Sequence, residues 1–431
     1  MNTIAAAVSL AALTLLPCCG PNPNADESAP TDLPDEVEVV ELVAFDHSTC
    51  ALDSGGGLRC WGSGGQGLLG YGESENIGDD EDWCSVGPVA VGGPVHDVQE
   101  LGGKCAMLDS GEARCWGPGI FGFAFTGAEQ LPFEGLKIEA CPRVERLVQG
   151  VNHACALLED GAVRCWGAGR ELGYGDSIDR GIGADPNEIL AELPDLALGG
   201  PALSIEAGTS VVGGHTCALL LDGGVRCWGT DSALGYGSQE PIGDDETPAE
   251  AGDVPLGGAA IGLASAGSNW CALLEDHSLR CWGRDAAYGM LGYGDIFSET
   301  ERVGDDETPA DMGPVDIGEP VEAVFMGGLR TCVLLEGDRI RCWGHGLMPG
   351  LLGYGPSITR LYEPPSEDID IGVGVRDLAL GLKHTCALLD NGRIRCWGLN
   401  SEGQLGLGDP DLAWTEGIPA EVPLIADCWG A

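Results

Sequence analysis

Fourteen of the 19 cysteines occur in seven pairs, and the members of each pair are ten residues apart. Trp-Gly follows every second cysteine, as in CALLEDGAVRCWG from Cys155 and CALLDNGRIRCWG from Cys386. Thiols at a fixed spacing support two kinds of chemistry, oxidation to a disulfide or coordination of a metal ion. The pairs are Cys50–Cys60, Cys105–Cys115, Cys155–Cys165, Cys217–Cys227, Cys271–Cys281, Cys332–Cys342 and Cys386–Cys396.

The sequence between the paired cysteines favours disulfides. In most phrases it contains DG, DSG or DNG, which form the tight turn of a β-hairpin. Such a turn places the two cysteines opposite each other, with Cα atoms about 4.5–5.5 Å apart, and a disulfide spans roughly 4.4–6.8 Å. A zinc site needs four ligands, whereas one hairpin supplies two. Zinc binding and reduced cysteines packed in the core remain the alternatives.

Five cysteines lie outside the phrases. Cys84 and Cys141 follow the first two phrases at similar distances, and we expect them to pair with each other. Cys18 and Cys19 end the apolar stretch IAAAVSLAALTLLPCCG, which resembles a bacterial lipoprotein signal but lacks a preceding Lys or Arg. We expect export and lipidation at Cys19 or Cys18, with an uncleaved helix as the alternative. Cys428 has no evident partner.

Three short acidic segments follow the glycine-rich motif in the first, fourth and fifth repeats. Clustered carboxylates can bind Ca²⁺, which takes six to eight oxygen ligands. These segments lack the D-x-D-x-D-G spacing of calcium loops, so solvated connectors and docking of a basic partner are the alternatives, and no metal is assigned. The residues are Asp79, Asp80, Glu81, Asp244, Asp245, Glu246, Asp305, Asp306 and Glu307.

An arginine precedes the second cysteine in all seven phrases. A buried guanidinium must be paired, so we expect structural ion pairs or carbonyl contacts between blades, with a ligand-binding ring as the alternative. His153, His215 and His384 lie two residues before a first cysteine, and we expect them to bond a neighbouring strand rather than a metal. The arginines are Arg59, Arg114, Arg164, Arg226, Arg280, Arg341 and Arg395.

The sequence contains no recognisable catalytic motif. G-x-S-x-G, H-E-x-x-H and the P-loop are absent, so we expect no enzyme activity and no cofactor other than calcium. The formal net charge is −47. Because phosphate backbones are bound by basic residues, this charge argues against a nucleic-acid partner and favours a basic protein.

The cysteine phrases recur every 50 to 62 residues. An apolar, strand-like run precedes each phrase, and LGYG or LGLG follows most of them. Repeats of this length with short strands and glycine turns predict an all-β, seven-bladed β-propeller of four-stranded blades. We expect the C-terminal IPAEVPLIA to supply a strand that completes the first blade and closes the ring. The predicted divisions are a signal at 1–19, a disordered acidic Pro-rich tether at 20–36 and the propeller at 37–431.

These features resemble the regulator of chromosome condensation repeat family, in a secreted, disulfide-rich variant. The segment LGLKHTCALLDNGRIRCWGLNSEGQLGLGD, residues 380–409, is most similar to the family pattern. The resemblance implies a seven-bladed propeller used for protein recognition. It also implies a nucleotide-exchange role for a small GTPase by analogy, which the charge and the expected export do not favour.

The sequence therefore predicts a non-enzymatic, protein-binding propeller that is secreted or tethered to the cell envelope. We expect it to be monomeric, to touch the membrane only through a lipid anchor, and to use loops on one ring face. A calcium-binding or structural envelope component is the alternative.

Overall fold

The computed structural model describes residues 37–117, 132, 136–139, 142–181, 190, 192–210, 213–284, 288–294, 302–409, 411–412, 414–415 and 417–425. All of them belong to the unit Asp35–Ala431. The predicted signal and tether, and the residues Cys18, Cys19, Cys141 and Cys428 for which pairing or lipidation was considered, lie outside the described residues. No helix among the described residues is long and apolar enough to cross a bilayer.

The described residues form seven antiparallel sheets, each built around one cysteine phrase. In chain order, and sheet by sheet, the strands are β1 Val39–Ala44, β2 Ser48–Asp53 and β3 Leu58–Gly62; β4 Val95–Glu100, β5 Lys104–Leu108, β6 Glu112–Trp116 and β7 Leu136–Glu139; β8 Val144–Gln149, β9 His153–Leu158 and β10 Val163–Gly167; β11 Ala202–Ser210, β12 Gly213–Leu220 and β13 Val225–Gly229; β14 Ala260–Ala266, β15 Asn269–Leu274, β16 Leu279–Arg284 and β17 Arg302–Val303; β18 Val321–Gly327, β19 Arg330–Leu335, β20 Arg339–His345 and β21 Arg360–Leu361; β22 Val375–Leu380, β23 His384–Leu389 and β24 Ile394–Gly398.

Each cysteine phrase is a β-hairpin whose two cysteines are direct register partners. Cys217 pairs with Cys227, for example, and Cys386 pairs with Cys396. The structure joins all seven pairs as disulfides, with Cα–Cα distances of 4.0–4.1 Å. The sulfurs are completely or almost completely buried, because the middle strand of each sheet is covered on both faces. The turn chemistry therefore sets the register, and the disulfide locks it.

The fourth element of each sheet is very short. Three sheets have a fourth strand (β7, β17 and β21), and in the other four a single bridge such as Gly62–Ile77 takes its place. The sequence predicted four strands in every blade, whereas four of the seven described sheets have three. In the first sheet the third strand ends at Gly62, which has φ 106° and where a Cβ would lie 2.5 Å from the carbonyl oxygen of His47. This backbone conformation favours glycine, and pairing with the fourth element there is limited to the bridge to Ile77.

Short helices occur only in the connectors of the described chain. The α-helices Pro248–Ala251 and Pro309–Met312 both begin with a threonine N-cap in a capping box and a proline at the start. The 3₁₀ helices are Gly65–Gly67, Trp83–Val86, Gly169–Glu171 and Pro419–Glu421.

Consecutive sheets contact one another, and the seventh sheet contacts the first. At that junction the Leu42 N–H donates to Asp377 Oδ2 at 3.0 Å, and Thr49 Oγ1 lies 2.8 Å from His384 Nε2. The first strands of neighbouring sheets contact each other at six of the seven junctions. At the seventh, between the first and second sheets, Lys104 Nζ donates to Ser48 Oγ at 2.8 Å. The first strands therefore form the inner wall of the circle, and the arrangement fits a seven-bladed propeller.

The C-terminal segment does not complete the first sheet, contrary to the sequence prediction. Among the described residues, Pro419–Glu421 is a 3₁₀ helix, and the Ile425 N–H donates to the carbonyl of Ile394 in the seventh hairpin. Val254 makes the equivalent bond to Val225 in the fourth repeat. The segment is therefore the connector of its own repeat, and side-by-side packing of β22 and β1 joins the two ends of the circle.

We predict that removing one bridge destabilises the fold without changing it. The Cys271→Ala/Cys281→Ala variant should lose about 2–3 kcal/mol of unfolding free energy, since the bridge restricts a short loop in the unfolded chain. Urea unfolding under non-reducing conditions measures the loss. An unchanged unfolding midpoint would contradict a stabilising role for the bridge.

Candidate functional site

The turns of the cysteine hairpins lie on one face of the circle, which we call the hairpin face (residues 53–57, 109–111, 159–162, 221–224, 275–278, 336–338 and 390–393). At five junctions the turn accepts a backbone hydrogen bond from the start of the next first strand. Gly223 accepts from Ala260 at 2.9 Å, and His277 accepts from Val321 at 3.0 Å. The hairpin turns and the starts of the first strands therefore share this face.

Every first strand carries a β-bulge close to the hairpin face. In β1 the register passes from Val39–Asp53 to Glu41–Leu52, so one residue is inserted without a partner. The same shift occurs in all seven first strands. The inserted residues are Val40, His96, Glu145, Leu203, Ile261, Glu322 and Arg376. The bulge gives each repeat one variable side chain on the same face.

The residue after the bulge has an equivalent position in every sheet. It always pairs with the apolar residue two positions after the first cysteine, as Asp97 pairs with Met107. In sheets one to seven these residues are Glu41, Asp97, Arg146, Ser204, Gly262, Ala323 and Asp377. The seventh, first and second sheets thus carry three adjacent acids, and the fourth to sixth carry small uncharged residues.

We call Glu41, Asp97, Asp377, Arg146 and Glu206 the acidic mouth. Arg146 Nη2 lies 2.8 Å from Glu206 Oε1, the one close ion pair that joins two members of this set. The cluster has four carboxylates and one guanidinium, so it carries a charge of −3 when every group is ionised. Because these side chains are mostly withdrawn from water, that repulsion is poorly screened.

Burial and repulsion disturb the protonation of the acidic mouth. The pKa of Glu41 is raised to about 7, first by burial and then by the charges of Asp97 and Asp377, while Arg146 opposes the shift. Burial raises the pKa of Asp377 to about 6, although the backbone N–H of Leu42 donates to it. Part of the negative charge is therefore neutralised by protons near neutral pH.

An apolar patch lies on the hairpin face where the fourth and fifth sheets meet. Leu203 and Ile261 are bulge residues of neighbouring first strands, and Leu221 lies in the turn that packs against the start of β14. Leu203, Ile261 and Leu221 are 39%, 47% and 65% exposed, respectively. An open depression of about 310 Å³, lined by 160–162 and 195–201, borders this patch.

Four of the seven arginines contact the connectors. Arg280 donates to Ser278 Oγ in its own hairpin turn, and Arg114 pairs with Glu112 of its own strand. Arg341 donates to Asp368 Oδ1 at 2.7 Å and to the carbonyl of Ile317 at 2.9 Å. Arg164 Nε lies 2.7 Å from Asp195 Oδ1, and Arg226 and Arg395 make similar ion-pair or carbonyl contacts. These guanidiniums hold the connectors against their sheets, so they do not converge into a ligand-binding ring.

The predicted acidic loops do form three compact carboxylate triads. The oxygens within each triad lie within 4.8 Å of one another, so each could hold a metal ion. Burial, followed by a hydrogen bond to Asp306, raises the pKa of Glu307 to about 7. Side chains of the preceding repeat already reach two triads, since Arg170 contacts Asp244 and Gln239 donates to Asp305. The triads lie in different repeats and do not converge.

His153 and His384 contact neighbouring sheets through buried hydrogen bonds, as predicted. His215 does not, because both of its ring nitrogens are buried without a hydrogen-bond partner and its Nδ1 lies 3.6 Å from Asp231 of its own repeat. His153 Nε2 lies 2.6 Å from Thr216 Oγ1 in the next sheet, and its Nδ1 lies 3.1 Å from Glu171. Cys84 is disulfide-bonded, and its proposed partner Cys141 lies outside the described residues. Sequence reasoning missed the tyrosine of LGYG, whose hydroxyl donates to the backbone of the second cysteine, as Tyr236 does to Cys227.

The family described as "Regulator of chromosome condensation (RCC1) repeat" matches residues 144–171 and 375–404. These segments hold β8–β10 and β22–β24, two complete three-stranded units of the third and seventh sheets. These two segments are RCC1 repeats. The other five sheets share the same hairpin, bulge and inter-sheet contacts, so they are variants of the same unit.

Curated RCC1 relatives are similar to part of the chain. The mitochondrial RCC1 domain-containing protein RUG3 of Arabidopsis thaliana is 27% identical over 215 residues, 49% of this chain and 46% of the relative. The ultraviolet-B receptor UVR8 of Arabidopsis thaliana is 31% identical over 150 residues, 35% of this chain and 32% of the relative. The chain thus spans less than half the length of these two relatives.

Solved RCC1 propellers share the fold at low sequence identity. The crystal structure of Prp20p from Saccharomyces cerevisiae, described with its binding to Gsp1p and histones, superposes with a TM-score of 0.56. It is 17% identical, and the superposition covers 82% of this chain and 84% of Prp20p. At that identity the likeness shows the fold alone.

We predict that Glu41 destabilises the RCC1 fold at high pH. The raised pKa of Glu41 means that the folded state favours its protonated form. The stabilisation that this form gives to the folded state is therefore fully present below about pH 4.5 and is lost as the pH rises through about 7. Glu41→Gln should therefore raise the unfolding free energy at pH 8 by on the order of 2–3 kcal/mol, with no gain at pH 4.

Urea unfolding from pH 4 to pH 8 tests this prediction, with the exposed Glu73→Gln as the control. If both variants follow the wild-type pH dependence, the protonation assigned to Glu41 is wrong.

Proposed function

We propose that this chain is a non-enzymatic binding propeller that recognises a partner protein through the hairpin face. The observation that carries the proposal is that this one face holds both an apolar patch and an acidic mouth in which four carboxylates face a single guanidinium. Protein interfaces typically combine a few apolar anchors with polar groups that fix orientation and exclude wrong partners. RCC1-type propellers supply the precedent for protein binding, because Prp20p is described with protein partners.

The partner is a protein with basic residues beside an apolar anchor. Leu203, Leu221 and Ile261 offer exposed aliphatic surface, while the acids of the mouth repel other anions. The net charge of −47 adds long-range attraction for a basic molecule and accelerates its association. The bulge residues vary between repeats while the hairpins stay nearly constant, which suits a scaffold that presents a specific surface.

The chain acts outside the cytoplasm in this proposal. Seven buried disulfides support an oxidising compartment. The apolar stretch that ends at Cys18 and Cys19 supports export with a lipid anchor. The propeller works as a monomer there, held at the envelope or released from it.

We predict that the apolar patch anchors the partner. Proteins from the envelope and medium of the producing cells are first captured on the immobilised full chain, identified and produced separately. Leu203→Ser/Leu221→Ser/Ile261→Ser should then weaken binding of that protein at least tenfold in surface plasmon resonance, because buried apolar anchors dominate interface energies.

The control variant is Ile178→Ser, which removes an equally exposed aliphatic side chain (61% exposed) away from the hairpin turns. It should change the affinity less than twofold. Unchanged affinity in the triple variant, or equal losses in both, would contradict the use of this face.

A further inference from the structure

The centre of the hairpin face contains a buried acid with unused bonding capacity. Asp97 is only 8% exposed, and Gln99 Nε2 donates to its Oδ1 at 2.9 Å. Its Oδ2 is buried and has no hydrogen-bond partner. A buried carboxylate oxygen without a donor costs free energy, so this atom favours any donor that can reach it.

The charged groups around Asp97 also leave it without a positively charged partner. Glu41 lies on the first strand of the preceding sheet and Asp377 on that of the sheet before it, whereas Arg146 on the following sheet is engaged by Glu206. The nearby cations on the bulges are also occupied. His96 lies near Asp109 and Glu145, and Arg376 lies 3.9 Å from Glu38.

We infer that the acidic mouth receives a lysine or arginine side chain projecting from the bound partner, which donates to Asp97 Oδ2 and lies among Glu41 and Asp377. This inference rests on the proposed protein-binding function and names the chemistry of one contact. A single ammonium or guanidinium supplies both the missing donor and the missing positive charge. The Arg146 and Glu206 side chains of the mouth are 30% and 22% exposed, so solvent reaches the cluster.

A divalent metal fits the mouth less well than an organic cation. In the described chain, three carboxylate triads have oxygens within 4.8 Å of one another. All three are in the acidic loops, and the mouth is not among them. Oxygens that share one Ca²⁺ bind it at 2.3–2.6 Å and must lie close together. A lysine or arginine tolerates wider spacing, because its several N–H donors point in different directions.

Cation entry must release protons. Glu41 and Asp377 have pKa values raised to about 7 and about 6, and a nearby positive charge favours their ionised forms. Affinity for the cation should therefore rise between pH 6 and pH 8. His96 lies on the adjacent bulge, near Asp109 and Glu145, so its effect on binding has to be separated.

The test uses an N-acetylated, fluorescein-labelled hexalysine peptide and the full chain in 150 mM salt. Glu41→Gln/Asp97→Asn/Asp377→Asn should weaken binding at least tenfold in fluorescence anisotropy at pH 7.5. Asp244→Asn/Asp245→Asn/Glu246→Gln removes the same three charges from an acidic loop and should weaken binding less than threefold. Equal losses in the two variants would overturn the inference, because they would show attraction to the net charge alone.

Two further measurements keep the result independent of folding. The single variant Glu41→Gln should retain the wild-type circular dichroism spectrum and abolish most of the affinity gain between pH 6 and pH 8, while His96→Gln should keep that gain. Calorimetry in phosphate and in Tris should show proton release for the wild type and little for the mouth variant. A pH dependence that persists in Glu41→Gln and disappears in His96→Gln would overturn the assignment.

The outcomes separate this inference from the proposed function. If the mouth variant binds hexalysine normally while the apolar-patch variant still loses the partner protein, the cation site is wrong and protein binding by the hairpin face stands. If the mouth variant loses hexalysine while the apolar-patch variant keeps the partner, the cation site stands and the patch is not the anchor.

Discussion

The fixed register of the cysteine hairpin is the constraint on which the rest of the structure depends. A disulfide between directly opposed residues forbids a one-residue slip of the two strands, and such a slip would exchange the two faces of the sheet. The covered middle strand then fixes the first strand, whose bulge always falls opposite the same pair of hairpin residues. One local covalent bond per repeat thus determines which side chains reach the hairpin face.

Repetition of this unit separates the roles of constant and variable residues. Most of the phrase arginines, two of the histidines and the LGYG tyrosines contact connectors, neighbouring sheets or the hairpin backbone, so they hold the repeats together. The residue inserted at the bulge and the residue after it vary in charge and size between repeats. Acidic residues follow the bulges of the seventh, first and second sheets, and the bulges of the fourth and fifth sheets carry Leu203 and Ile261. These differences give a nearly symmetric scaffold one distinctive surface.

The sequence predicted the repeat unit well because its signals are local. Ten-residue spacing and DG turns specify a hairpin such as Cys386–Cys396 without reference to the rest of the chain. The acidic mouth could not be predicted, since VVELVA and VHDVQE read as plain strands whether or not they carry a bulge. Glu41, Asp97 and Asp377 are separated by up to 336 residues (377 minus 41), and only closure of the circle brings them together. The prediction for the C-terminal segment failed for the opposite reason, because a long-range pairing with the first blade was expected and its partner Ile394 lies in its own repeat.

A non-reducing tryptic map tests the central claim about register most directly. Trypsin cleaves after the arginine that precedes each second cysteine, so an intact bridge keeps two peptides of one phrase together. The account predicts six linked species that separate on reduction, because Cys227 and Cys271 share one tryptic peptide and their two bridges therefore join three peptides. Every bridge should join cysteines ten residues apart. Bridges between different phrases, or free thiols at these positions, would contradict it.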